Sequence, residues 1–176
     1  MTRSFLWRLA SAVLLFGLGT LWAAFIPVEA VSPNQAVHVM TQPSLPTILR
    51  TNLAAQVGLL SGLVTGGLST AIQIFVNGVS FGGISRTFLT TGLGPKEMAI
   101  ALGPHILPEF LGFFLCAAVG LGGLERLWNL VAGEGEPLSA WIADWKSGVA
   151  GIALTVVAAL LEGFITAHLV NSYLHR

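Results

Sequence analysis

His105 and Glu109 stand four residues apart in an apolar stretch, and Glu162 stands alone in a later one. Residues four apart lie about 40° from one another around a helix, so this imidazole and this carboxylate share a face. Burying an ionisable group among apolar helices costs several kcal/mol, so each of the three asks for a partner or a wet cavity. Three kinds of chemistry are open to such a set. It can form a structural polar knot with protonated or hydrogen-bonded acids, which is the plainer reading; it can relay protons; or it can bind a ligand. One histidine and two carboxylates are competent metal ligands, but H-x-x-x-E is a weak pattern, and neither a metal nor any other cofactor is expected. His168, six residues beyond Glu162, points to another side of its helix.

No catalytic arrangement accompanies these groups. Ser61, Thr65, Ser69 and Thr70 lie in an apolar stretch without an HExxH, GxSxG or paired-aspartate motif, so the parts of a membrane peptidase are not recognisable. Hydroxyls in such a place more often bond the preceding turn or a neighbouring helix. No P-loop is present, so ATP hydrolysis would have to come from another chain. Cys116 is the single cysteine, which excludes an internal disulfide and a cysteine-pair metal or redox site. The expectation is a protein that is not an enzyme.

The elements that must position His105, Glu109 and Glu162 follow from composition. Of 176 residues, 54% are hydrophobic and 9% charged, against about 25% charged in soluble domains. This is the composition of a membrane protein whose primary partner is the lipid bilayer. Eight Lys+Arg balance eight Asp+Glu with no basic arm, so the electrostatic footprint of a nucleic-acid binder is missing.

Crossing about 30 Å of hydrocarbon takes about 20 apolar residues, and four stretches qualify: 5–26, 53–76, 98–123 and 148–170. The first exceeds the apolar length of a cleavable signal and reads as a retained helix. Residues 27–51, with Pro27, Pro33, Pro43 and Pro46, read as an extended extracytoplasmic loop. Residues 79–94, broken by Gly82-Gly83, Arg86 and Gly92, read as interfacial or re-entrant, with a short fifth crossing as the alternative. Residues 125–147 carry six charged side chains that include Glu125, Arg126, Asp144 and Lys146. They read as a second extracytoplasmic loop, anchored by Trp128, Trp141 and Trp145 at the headgroup layer. The fold class is therefore an all-α polytopic bundle, one membrane domain over 1–176. Arg3, Arg8, Arg86, Lys96 and Arg176 fall on the N-terminal side of this arrangement, against Arg50, Arg126 and Lys146 on the other. That asymmetry makes both termini cytoplasmic, in a cell (inner) membrane.

Helices in lipid associate through small residues spaced by four. Gly58, Gly62 and Gly66 make such a stripe in the second crossing, and Gly112, Cys116 and Gly120 make another in the third. With helix centres at residues 110 and 159, Glu109 falls near the midplane, and Glu162 lies between it and His105 in depth. Pro104 and Pro108 bracket the cluster and are expected to bend the helix. Asn52 and Asn77-Gly78 read as caps or turn residues at the ends of the second crossing.

Three blocks in order resemble the integral-membrane stage II sporulation protein M family. They are RTNLAAQVGLLSGLVTGGLSTAIQIFVNGVSFGG over residues 50–83, GPHILPEFLGFFLCAAVGLGG over 103–123 and AALLEGFIT over 158–166. The first carries Asn52 and Asn77-Gly78, the second Pro104, His105 and Glu109, and the third Glu162. Together they cover most of the chain after residue 50. Ile106 stands where the family often has glycine, and Pro108 where it often has leucine. The resemblance implies an all-helical polytopic protein without established catalytic activity. It acts as a scaffold or subunit of a bacterial membrane complex, beside partners of the cell-wall hydrolase or transport ATPase type, and a second copy of the chain is a further partner. The alternative is a transporter component with a proton or substrate path through His105, Glu109 and Glu162.

Overall fold

The computed structural model describes residues 3–27, 44–90, 99–100, 102–135, 138–166, 168–169 and 172. Among them every regular element is helical. Helix α1 is Arg3–Trp22, continued by a 3-10 turn at Ala23–Phe25. Helix α2 is Leu45–Leu60, followed by a 3-10 turn at Ser61–Leu63. Helices α3, Leu68–Thr90, and α4, Ile106–Ala132, follow. The last is α5, Leu138–Leu161, ending in a π-helical turn at Glu162–Thr166. Four helical segments are long and apolar enough to cross a membrane: Arg3–Phe25, Leu68–Thr90, Ile106–Ala132 and Ser139–Thr166. The chain is an all-α polytopic bundle with a shorter fifth helix, α2, packed among the others.

Contacts fix the direction of each helix. Gly78 and Gly82 of α3 lie against the Phe16 and Thr20 carbonyls of α1, and Arg86 donates to the Ala23 and Ile26 oxygens at 2.6 and 2.7 Å. Sequence numbers rise together along these contacts, so α1 and α3 are parallel. Along α4 they run oppositely. Ser4 donates to Glu125, Phe16 meets Phe113, and Thr166 meets His105, so α4 is antiparallel to both α1 and α5. A close-packed centre of Ala12, Leu59, Ile74, Phe113, Cys116 and Ala117 joins α1 to α4. Large side chains such as Leu14, Val64, Leu107 and Leu130 face outward, as lipid-facing residues do.

The expected second crossing, 53–76, is not one helix. It is cut at 61–67, where Gly66 and Gly67 take left-handed φ of 60° and 82°, a region open to glycine at little cost. The chain reverses there, so α3 starts at Leu68, and the stretch from 79 to 90 read as interfacial is the second half of a spanning helix. Residues 91–94 lie outside the described residues. Hydroxyls hold the reversal: Ser61 and Thr65 each contact the Ser69 hydroxyl at 2.8 Å, and Thr70 donates to the Leu59 carbonyl at 2.6 Å. The last of these satisfies a carbonyl where the helical pattern ends.

Other boundaries move as well. The expected loop 27–51 ends early, because α2 begins at Leu45 with Pro46 in its first turn, where a missing N–H costs nothing. Pro108 likewise falls in the first turn of α4, and Pro104 lies in the turn at 103–105 that separates α4 from the helical residues before it, so the expected stretch 98–123 is interrupted at Pro104. The expected loop 125–147 is mostly helix. Helix α4 runs on to Ala132 and is capped by Gly133 at φ 72°, whose N–H bonds the Asn129 and Leu130 carbonyls. Helix α5 already begins at Leu138.

These shifts overturn the arrangement of the ends. Ser4 lies beside Glu125 near one end of α4, and Thr166 lies beside His105 at the other. The described chain therefore begins at one end of the bundle and finishes at the opposite one, so the two ends do not share a face. Ile26 and Gly133 also sit at opposite ends of the bundle. Arg126 and Lys146 join Arg3 and Arg8 at one end, while Arg50 and Arg86 sit toward the other.

Candidate functional site

The start of α4 and the end of α5 bring the sequence-singled polar residues together. His105 is buried in the turn before α4. Its Nδ1 lies 3.0 Å from the Thr166 hydroxyl, and its Nε2 lies 4.0 Å from the Glu109 carboxylate. Glu109 in turn has Glu162 as a charged neighbour across the α4–α5 interface. His105 and Glu109 are thus paired within 4.0 Å, with Glu162 close enough to Glu109 to act on its charge. Thr166 was not foreseen. Between Glu162 and Thr166 the backbone widens to a π turn, a distortion found frequently at functional sites.

No hydrogen bond reaches the Glu109 carboxylate from any described residue, and its pairing with His105 at 4.0 Å is too long for one. A cavity of about 220 Å³ opens beside it. Its polar wall is Asn77, Ser80, His105 and Glu109, and its apolar wall includes Phe16, Phe81, Phe110 and Phe113. The rings support one another, with Phe16–Phe110 and Phe81–Phe110 centroids 5.4 and 5.2 Å apart in edge-to-face contact. Asn77, expected at a helix end, instead lies inside α3 and donates to the Gln73 carbonyl at 2.8 Å. Gly78 next to it is a close-contact residue against the Phe16 carbonyl of α1. Asn52 lies in α2 with a buried Nδ2 that finds no hydrogen-bond partner among the described residues. One turn later Gln56 donates to Thr155 of α5 at 2.6 Å. Among the described residues no group of three His, Cys, Asp or Glu side chains is arranged to hold a metal ion.

The expected glycine stripes have different fates. Gly112, Cys116 and Gly120 do line one face of α4. A Cβ on Gly112 would lie 2.6 Å from the Gly151 carbonyl of α5, and Gly120 packs on the Leu59 carbonyl of α2. Cys116 is fully buried and directs its Sγ to the Gly148 carbonyl. In the first stripe Gly58 meets Gln73, while a Cβ on Gly62 would lie 2.7 Å from the Gly120 carbonyl. Gly66 belongs to the reversal and not to a helical stripe.

A second polar centre lies at the other end, and sequence reasoning missed it. Arg8 of α1 donates twice to Asp144 of α5, at 2.8 and 3.1 Å, and Arg126 of α4 adds a bond at 2.9 Å. Asp144 is buried and the two arginines are partly buried. Trp141 lies 3.8 Å from the Arg126 guanidinium in a cation–π contact, and Gly122 leaves the space that the Arg8 guanidinium occupies. Its signal in the sequence was Arg8 itself, a charge inside an apolar run that demands a carboxylate.

The fold and these two centres define a multi-pass, all-helical membrane protein with ionisable groups in its interior. The chain is similar to an uncharacterized protein of Methanocaldococcus jannaschii, 28% identical over 162 residues that cover 88% of this chain and 90% of the relative. No protein-family profile and no solved structure matches it.

Proposed function

We propose that this protein is a non-enzymatic membrane component of a bacterial transport complex, with a substrate path that includes the His105, Glu109 and Glu162 centre. The observation that carries this reading is the cavity of about 220 Å³ opening directly onto Glu109 and His105. Intramembrane acids cost free energy to hold and mark substrate or proton paths, and this one stands beside open space instead of a cation. A second reading is a scaffold that recruits cell-wall hydrolase or transport ATPase partners, as the resemblance to stage II sporulation protein M implies. It draws support from the glycine-mediated close packing of α2, α4 and α5, which makes a stiff platform. Its host membrane is the cell membrane.

The test of the path is aqueous access. In a Cys116→Ser background, a cysteine placed at Glu109 should react in membranes with a small water-soluble thiol reagent. Complete protection from both sides would end the path reading and leave the scaffold, for which the set of proteins co-purifying from native membranes is the measurement. Orientation is read by external labelling of Gly135→Cys and Leu89→Cys, of which only one should be modified.

A further inference from the structure

The charge around Glu109 does not balance. Glu109 has Glu162 as a charged neighbour, and among the described residues no lysine or arginine lies within 4.0 Å of either; the described group paired with Glu109 is the His105 imidazole. A carboxylate at this depth is held by a cation, by hydrogen-bond donors or by protonation, and the described donors do not reach Glu109. The space next to it supplies room for a cation, and the walls of that space say which kind. A small inorganic cation is held by a shell of oxygens, whereas here Phe16, Phe81, Phe110 and Phe113 surround an opening with only Asn77, Ser80 and Glu109 to offer oxygen. Aromatic faces beside one carboxylate are the surroundings that recognise alkylammonium groups, which combine positive charge with an apolar surface.

We propose that the cavity between α1, α3 and α4 binds a small organic cation of the alkylammonium class, with Glu109 as its counter-ion and the four phenylalanines as its apolar and cation–π wall. This names the substrate class of the path proposed above and rests on that reading. Asn77 and Ser80 then orient polar substituents of the ligand from α3. His105, held by Thr166, closes the cavity on the side of α5.

The experiment is calorimetric titration of the full chain in detergent micelles with tetramethylammonium chloride, against potassium chloride at equal concentration. The wild type should show saturable binding of tetramethylammonium that potassium does not displace. Affinity should fall at least about tenfold in Glu109→Gln and about threefold in Phe81→Leu, which keeps an apolar wall but removes a ring face. Phe81→Leu and the potassium competition keep the proposal testable should Glu109→Gln not fold. No saturable binding by the wild type, equal affinity in Glu109→Gln, or displacement by potassium would overturn it. Aqueous reactivity of a cysteine at position 109 separates the two failures. A reactive cysteine without tetramethylammonium binding removes the cation and keeps the path, whereas a protected one removes both.

Discussion

At the Arg8 end of the bundle, side chains from α1, α4 and α5 meet at 2.8 to 3.1 Å, and both oxygens of the Asp144 carboxylate accept hydrogen bonds. At the His105 end, the ion pair between His105 and Glu109 is 4.0 Å long, Glu162 is a second carboxylate near Glu109, and a cavity adjoins Glu109 and His105. Both ends bury charge in an apolar bundle, yet one closes its charges on themselves and the other leaves them open. Closed charges resist removal because without Asp144 two partly buried guanidiniums repel each other across the joint. Open charges cost stability and are retained where something else uses them. The difference separates a structural joint from a working site more sharply than residue type does, since acids and basic groups occur at both.

Breaking the joint should have the largest effect. Asp144→Asn leaves Arg8 and Arg126 partly buried together and should cost about 3–5 kcal/mol, read as a loss of thermal stability in detergent; a variant as stable as wild type would show that the joint is no more structural than the other end. Next is the packing between the two ends. Gly62→Leu forces a side chain against the Gly120 carbonyl and should cost roughly 1–3 kcal/mol, with Gly62→Ala less harmful; unchanged melting of the Leu variant would mean that this contact gives way freely. At the open end, Glu109→Gln should change stability by less than about 1 kcal/mol or raise it, because a carboxylate without donors is costly. A loss as large as that of Asp144→Asn would erase the distinction.

The finest test follows the His105 titration by nuclear magnetic resonance in detergent. Removing an anion that favours the imidazolium form moves the midpoint to lower pH. Glu109→Gln, which removes the adjacent carboxylate, should therefore shift it down, and Glu162→Gln should shift it the same way by less, since Glu162 is a charged neighbour of Glu109. Equal shifts would put both acids against the ring.

Much of the fold was legible because hydropathy and length suffice for long helices: α1 lies close to its expected place, and α4 and α5 overlap the expected stretches 98–123 and 148–170 although they run 106–132 and 138–161. The reversal at 61–67 was not, since Val64 and Leu68 keep the hydropathy high and glycines are frequent inside membrane helices. Its hydroxyl bonds depend on contacts that no spacing announces. That one missed reversal changed the side assigned to every later loop, which separated Arg8 from Arg126 and Asp144 and hid their joint. The His105–Glu109 pairing was legible, because a four-residue spacing survives any placement of the helix. Thr166 was not, because a π turn shifts the phase of the residues that follow it.

The shortness of α2 bears on how the chain enters a membrane. Its 16 residues rise about 24 Å, short of the roughly 30 Å of hydrocarbon, and they include Asn52 and Gln56, whose amides are buried among helices rather than facing lipid. Alone in a bilayer, α2 would leave these amides to hydrocarbon. It is therefore retained only as one arm of a hairpin with α3, and Gln56 meets its partner Thr155 only once α5 has been synthesised, 99 residues later. The seat of α2 is thus completed by the last helix, and a chain truncated before α5 should leave the Gln56 amide without its Thr155 partner.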